Sequence, residues 1–101
     1  MDKAPPLPPA SVNTQTVKSL MVFPAPFPIK VMGRNDPILL PDICAIALQF
    51  DPAFDPDSVE LRPSKAGNYM GITLTVLATC QQQVDDLYRT LSSHPLVKVV
   101  L

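Results

Sequence analysis

From residue 27 onward the chain alternates between two hydrophobic periods, two-residue and helical, in a fixed order. Over 27–32 the apolar Phe27, Ile29 and Val31 alternate with Pro28, Lys30 and Met32, the spacing of a strand with one buried face. Gly33-Arg34-Asn35 breaks that pattern. Asp36 then supplies a side-chain oxygen of the N-cap type, and Pro37 suits a first helical position. Leu39, Leu40, Ile43, Ile46, Ala47 and Phe50 recur at helical spacing. Pro41 lies within that stripe, so either the first turn is distorted or the regular helix begins at Pro41. The loop 51–56 ends the helix.

A second strand is expected over 59–62. A polar loop over 63–68 follows, in which Gly67 is the expected positive-φ position. Met70, Ile72, Leu74, Val76 and Ala78 mark the inner face of a long third strand, with Thr73 and Thr75 on the other side. Thr79 with Gln82 three residues on reads as a capping box opening a second helix, whose buried stripe is Val84, Leu87, Tyr88 and Leu91. Residues 92–95 stop it, and 96–101 form a last strand.

The order β-α-β-β-α-β, with two helical stripes to cover, predicts an α+β ferredoxin-like sandwich. Its four-stranded antiparallel sheet carries both helices on one face, and right-handed crossovers put the first and third strands at the centre. This domain is expected to span 23–101. Residues 1–22 form a tail in which Pro5-Pro6-Leu7-Pro8-Pro9 favours polyproline II or disorder, with one helical turn expected over 16–23. The run also has the PxxP form that docks in aromatic grooves, but the motif is short and a solvated tail is the better reading.

Composition narrows the function. A hydrophobic fraction of 47% with 17% charged residues describes a globular chain. A net charge of −1 lacks the basic surplus of a nucleic-acid binder. The first ten residues lack the basic start and apolar core of a signal peptide, and no run is long enough to span a bilayer. The expected compartment is therefore the cytoplasm, where Cys44 and Cys80 stay reduced. With His94 they are all the soft ligands present, and none is spaced for zinc, so no metal or cofactor is expected.

No set of residues makes a credible active site. His94 is placed to cap carbonyls at a helix end, and the adjacent Asp85 and Asp86 diverge on a helix. Asp51, Asp55 and Asp57 are interrupted by prolines and read as solvated loop acids. The chain is therefore expected not to be an enzyme.

Several segments together resemble the YbeD-like family of small bacterial proteins of uncharacterised function. They are Phe27-Pro28-Ile29-Lys30-Val31-Met32-Gly33, the loop from Pro63 to Tyr69, Val84-Asp85-Asp86-Leu87-Tyr88 and Val97-Lys98-Val99-Val100-Leu101. The resemblance runs from about residue 23 to the end. It implies a ferredoxin-like fold similar to the ACT regulatory domains. Ala66 departs from the Ser-Lys-Gly order of the family's loop, and the helix with Pro41 and the proline-rich 51–56 loop are atypical.

Two clusters are candidates for ligand or partner binding. The first is Arg34, Asn35 and Asp36 at a strand-to-helix turn, where free N–H groups favour a carboxylate or phosphate. It is similar to the ligand loop of ACT domains, except that Ile38 stands where that loop has glycine. The second is Ser64, Lys65, Asn68 and Tyr69, which offer a hydroxyl, an ammonium, an amide and a phenol in one hairpin loop. Lys30, Met32, Glu60, Arg62, Thr73, Thr75, Leu77 and Lys98 should line the open sheet face, a mixed surface suited to contact. Of these, Lys30, Arg62, Thr73, Thr75 and Lys98 are its contact candidates.

The expected function is that of a regulatory or interaction domain, monomeric or weakly dimeric, binding a protein partner or a small carboxylate or amino acid. The competing reading is a single-domain RNA binder using Lys30, Arg62, Lys65 and Lys98. Its central strands, however, lack the aromatics on which bases stack.

Overall fold

A computed structural model describes residues 22–101; the proline-rich tail lies outside the described residues, as does all but the end of the turn expected over 16–23. Strands β1 (Ala25–Arg34), β2 (Glu60–Pro63), β3 (Tyr69–Ala78) and β4 (Val97–Val100) form one antiparallel sheet in the order β2-β3-β1-β4. Helices α1 (Leu39–Phe50) and α2 (Gln81–Ser92) follow β1 and β3. The two ten-residue strands occupy the centre, as right-handed crossovers predict.

The inward rows meet the helical stripes as expected. Ile29 and Val31 of β1, Ile72, Leu74 and Val76 of β3, Leu39, Ile43 and Ala47 of α1, and Leu87 and Leu91 of α2 share one buried cluster. Phe54, from the loop after α1, plugs the same core. Each fully buried Leu, Ile or Val contributes about 1.5–3 kcal/mol by leaving water.

Four local expectations change. β1 does not stop at Gly33 but continues to Arg34. Gly33 lies on the core side, where a Cβ would stand 2.6 Å from the Leu96 carbonyl oxygen. Helix α1 begins at Leu39, two residues later than the Asp-Pro signal suggested. Asp36 instead accepts the Ile38 N–H on Oδ1 at 3.0 Å, closing a turn ahead of the helix. Pro41 is then the third residue of α1, where its missing N–H would have had no intrahelical partner.

At α2 the N-cap is Cys80, not Thr79, and the residue that reaches back is Gln83, whose Oε1 accepts the Thr79 N–H at 2.6 Å. Gln82 donates to Asp86 Oδ1 along the helix surface. The fourth change is Asp51, which is buried rather than solvated.

β2 covers β3 only from Met70 to Thr73. Beyond it, side chains take over the work of a strand. Asp51 Oδ2 accepts the Leu77 N–H and Oδ1 the Ala53 N–H, each at 3.0 Å. The Gln83 amide donates to the Leu77 carbonyl at 3.1 Å and to the Phe50 carbonyl at 2.8 Å. Buried backbone groups cost free energy unless paired, so these two side chains close the corner where α1, β3 and α2 meet.

Candidate functional site

The two loops that the sequence holds 30 residues apart lie at one end of the sheet. Antiparallel pairing of β1 with β3 sets Arg34 opposite Tyr69, so the end of one strand is the start of the other. The contact is built from backbone and amide groups. The Asn35 N–H donates to the Asn68 carbonyl at 3.0 Å, and Asn35 Nδ2 to the Gly67 carbonyl at 2.9 Å. Gly67 takes φ of +81°, the left-handed conformation expected for it. The Ser64 hydroxyl accepts the Tyr69 N–H at 3.1 Å, and the Gly67 N–H donates to the Ser64 carbonyl at 2.9 Å.

β4 completes the third side. Met32 pairs with Val99 but Gly33 with Val97, so Lys98 is an extra, bulged residue. The bulge brings Lys98 to the sheet end beside Arg34, and it leaves Val99 on the open face. Arg34, Asn35, Asp36, Asn68, Tyr69 and Lys98 line a polar concavity of about 550 Å3 together with Gly67 and the Pro95-Leu96 turn.

Within it the roles divide. Asn35 and Asp36 spend their side chains on loop and turn geometry. Among the described residues, the side chains of Arg34, Asn68, Tyr69 and Lys98 carry no hydrogen bond or ion pair. Ser64 is committed to its own turn and Lys65 lies outside the concavity. Ile38 is 53% exposed and does not line it.

A second concavity, of about 370 Å3, lies on the open sheet face. Lys30, Arg62 and Thr73 line it, as do Glu60, Met32, Gly71, Val99 and Leu101. Thr75 and Leu77 lie farther along the sheet, opposite Pro28 and Pro26. Sequence reasoning missed Gly71 and Val99. Glycine inside a strand pattern is a signal of a close approach or a dent, but nothing in the alternation of β4 announces its bulge.

His94 does not cap carbonyls with its ring. Nδ1 accepts the Leu96 N–H at 3.1 Å, so Nε2 carries the proton, which it donates to Asp42 Oδ2 at 2.8 Å. Both ring nitrogens are engaged in tying α1 to the turn after α2. Of the thiols, Cys44 is half-buried on α1 and burial pushes its pKa up, whereas Cys80 is exposed. We expect iodoacetamide to label Cys80 about tenfold faster than Cys44 at neutral pH, read by peptide mass spectrometry. Equal rates would show that α1 opens readily.

A protein family described only as of unknown function, DUF493, matches residues 18–101. The chain belongs to that family. Its relatives include a UPF0250 protein of Leptothrix cholodnii, 63% identical over 83% of this chain and 92% of its own length. Another, from Bordetella parapertussis, is 55% identical over 88% of this chain and 98% of its own. The YbeD-like resemblance drawn from the motifs therefore holds.

Two solved structures share the fold. Protein HP0495 from H. pylori superposes with a TM-score of 0.64 at 14% identity, over 97% of this chain and 98% of that one. The C-terminal domain of the MgtC protein from Mycobacterium tuberculosis gives 0.62 at 18%, over 77% and 84%. Among the described residues no helix is long and apolar enough to cross a membrane.

Proposed function

We propose that this protein is a non-catalytic binding domain that takes a small carboxylate or amino-acid ligand at the end of its sheet. The observation that carries the reading is the convergence of Arg34 and Lys98. They come from β1 and β4, line one concavity, and lack a partner among the described residues. Two cations lining one concavity favour an anion there. A guanidinium suits a carboxylate through a two-point fork, while an ammonium adds a point charge. The Asn68 amide and Tyr69 hydroxyl are placed to orient the rest of a ligand, and the space is in the range of small-molecule sites. A bound anion would bridge β1, the β2–β3 loop and β4, which is how such a domain can sense a metabolite.

The test is a backbone amide NMR titration of the labelled chain with amino acids, small carboxylates and inorganic phosphate. We expect saturable shifts confined to 34–38, 67–69 and 95–98. The double variant Arg34→Gln/Lys98→Gln should weaken binding at least about tenfold, since charge-assisted hydrogen bonds are worth roughly 1.5–3 kcal/mol. A flat response across the panel, or equal affinity in the variant, would sink the reading.

A further inference from the structure

The charges of the described residues are sorted by face. Lys30 and Arg34 on β1, Arg62 on β2 and Lys98 on β4 lie on the open side of the sheet, with Lys65 in the adjoining loop. Glu60 is the acid among these strand residues, and Asp36 follows the end of β1. The helices and the α1–β2 connection carry Asp42, Asp51, Asp55, Asp57, Asp85 and Asp86 against Arg89. A chain of net charge −1 thus gathers most of its described cations on the sheet face, while its acids, apart from Glu60, Asp36 and the buried Asp51, lie on the helices and the α1–β2 connection.

The basic face is not flat. Strand pairing aligns Arg62, Gly71, Met32 and Val99 in one row across the sheet. The next row holds Glu60, Thr73 and Lys30, and Leu101 joins it through paired backbone hydrogen bonds with Lys30 at 2.7 and 3.1 Å. Gly71 leaves a gap in the first row. A Cβ there would lie 3.3 Å from the Arg62 carbonyl oxygen and 3.7 Å from Met32 Cε, so those two residues border the dent. Met32 is 40% exposed, Val99 45% and Leu101 71%, an apolar strip with Lys30 and Arg62 beside it.

We propose that this face docks an acidic segment of a partner protein bearing an apolar side chain. The apolar group seats in the dent over Gly71, against Met32, and flanking carboxylates meet Lys30 and Arg62. Charge complementarity selects the occupant. A second copy offering the same face would bring two cations, Lys30 and Arg62, for each Glu60 carboxylate, so cations would outnumber their partners. RNA would find phosphate partners but no stacking platform, since Tyr69, the aromatic of this face, lies in the end row with Arg34. This docking uses different residues from the end concavity and stands or falls apart from it.

The experiment selects a displayed library of random 12-residue peptides on the immobilised full chain, in parallel with the double variant Lys30→Glu/Arg62→Glu. Enriched peptides should combine Asp or Glu with Leu, Ile, Phe or Met. Synthetic copies should bind the variant at least about tenfold more weakly, and raising salt from about 0.05 to 0.5 M should release them. The milder Lys30→Gln/Arg62→Gln pair should fall between, and it carries the test if charge reversal unfolds the chain. Enrichment without acidic residues, equal retention by the variants, or tighter retention of a random RNA pool would each overturn the proposal. So would sedimentation showing that the wild-type face is closed by a second copy and that the charge-reversed variant is monomeric.

Discussion

Gly33→Ala should cost about 3 kcal/mol of stability and lower the melting temperature by roughly 12–24 °C, the upper range for overpacking in a small domain. The added methyl would lie 2.6 Å from the Leu96 carbonyl oxygen, and 3.1 and 3.2 Å from the two Leu39 methyl carbons. The leucine can turn aside. The carbonyl cannot, because it accepts the Arg34 N–H at 2.9 Å and anchors the chain entering β4. Relief therefore requires moving β4 away from β1, which breaks that hydrogen bond and opens the end concavity. Thermal unfolding followed by circular dichroism measures the loss directly. A variant melting within about 2 °C of the wild type would show that β4 is free to shift, and the rigid end site would go with it.

Asp51→Ala should destabilise by about 2–3 kcal/mol, since it removes the acceptor of two N–H groups at a buried corner. Asp51→Asn should recover little. Both carboxylate oxygens accept, from Ala53 and Leu77, whereas an amide offers one acceptor and turns its NH2 toward the other donor. The distinguishing measurement is hydrogen exchange at the Leu77 amide, which should accelerate in both variants. Unchanged protection would mean that the edge of β3 beyond β2 does not depend on this carboxylate.

Element order and inward rows were legible because they follow from local chemistry. The alternation of Phe27, Ile29 and Val31, the run from Met70 to Ala78, and the stripes from Leu39 and Val84 each bury one face whatever their neighbours are. Element ends were less legible. Asp36-Pro37 is a valid start signal, but the turn it makes comes before the helix, not in it. Gln82 and Gln83 are equivalent in sequence, and only the positions of Phe50 and Leu77 favour Gln83. Of the candidate residues, Arg34, Asn35, Asp36, Asn68, Tyr69 and Lys98 line the end concavity, and Lys30, Arg62 and Thr73 the groove.

Periodicity and backbone preference act within a few residues, and they were enough to set the ferredoxin-like order, the composition of the core and the glycine turn at Gly67. The rest came from contacts between distant parts of the chain. Tertiary structure buried Asp51, because β2 ends before β3 does. It joined two distant loops into one concavity, because antiparallel pairing returns the chain to the same sheet end. It moved Lys98 beside Arg34 through a bulge that no periodicity records. It also gathered Lys30, Arg34, Arg62 and Lys98 of a nearly neutral chain on the sheet, and net charge, being a sum, carries no direction in space.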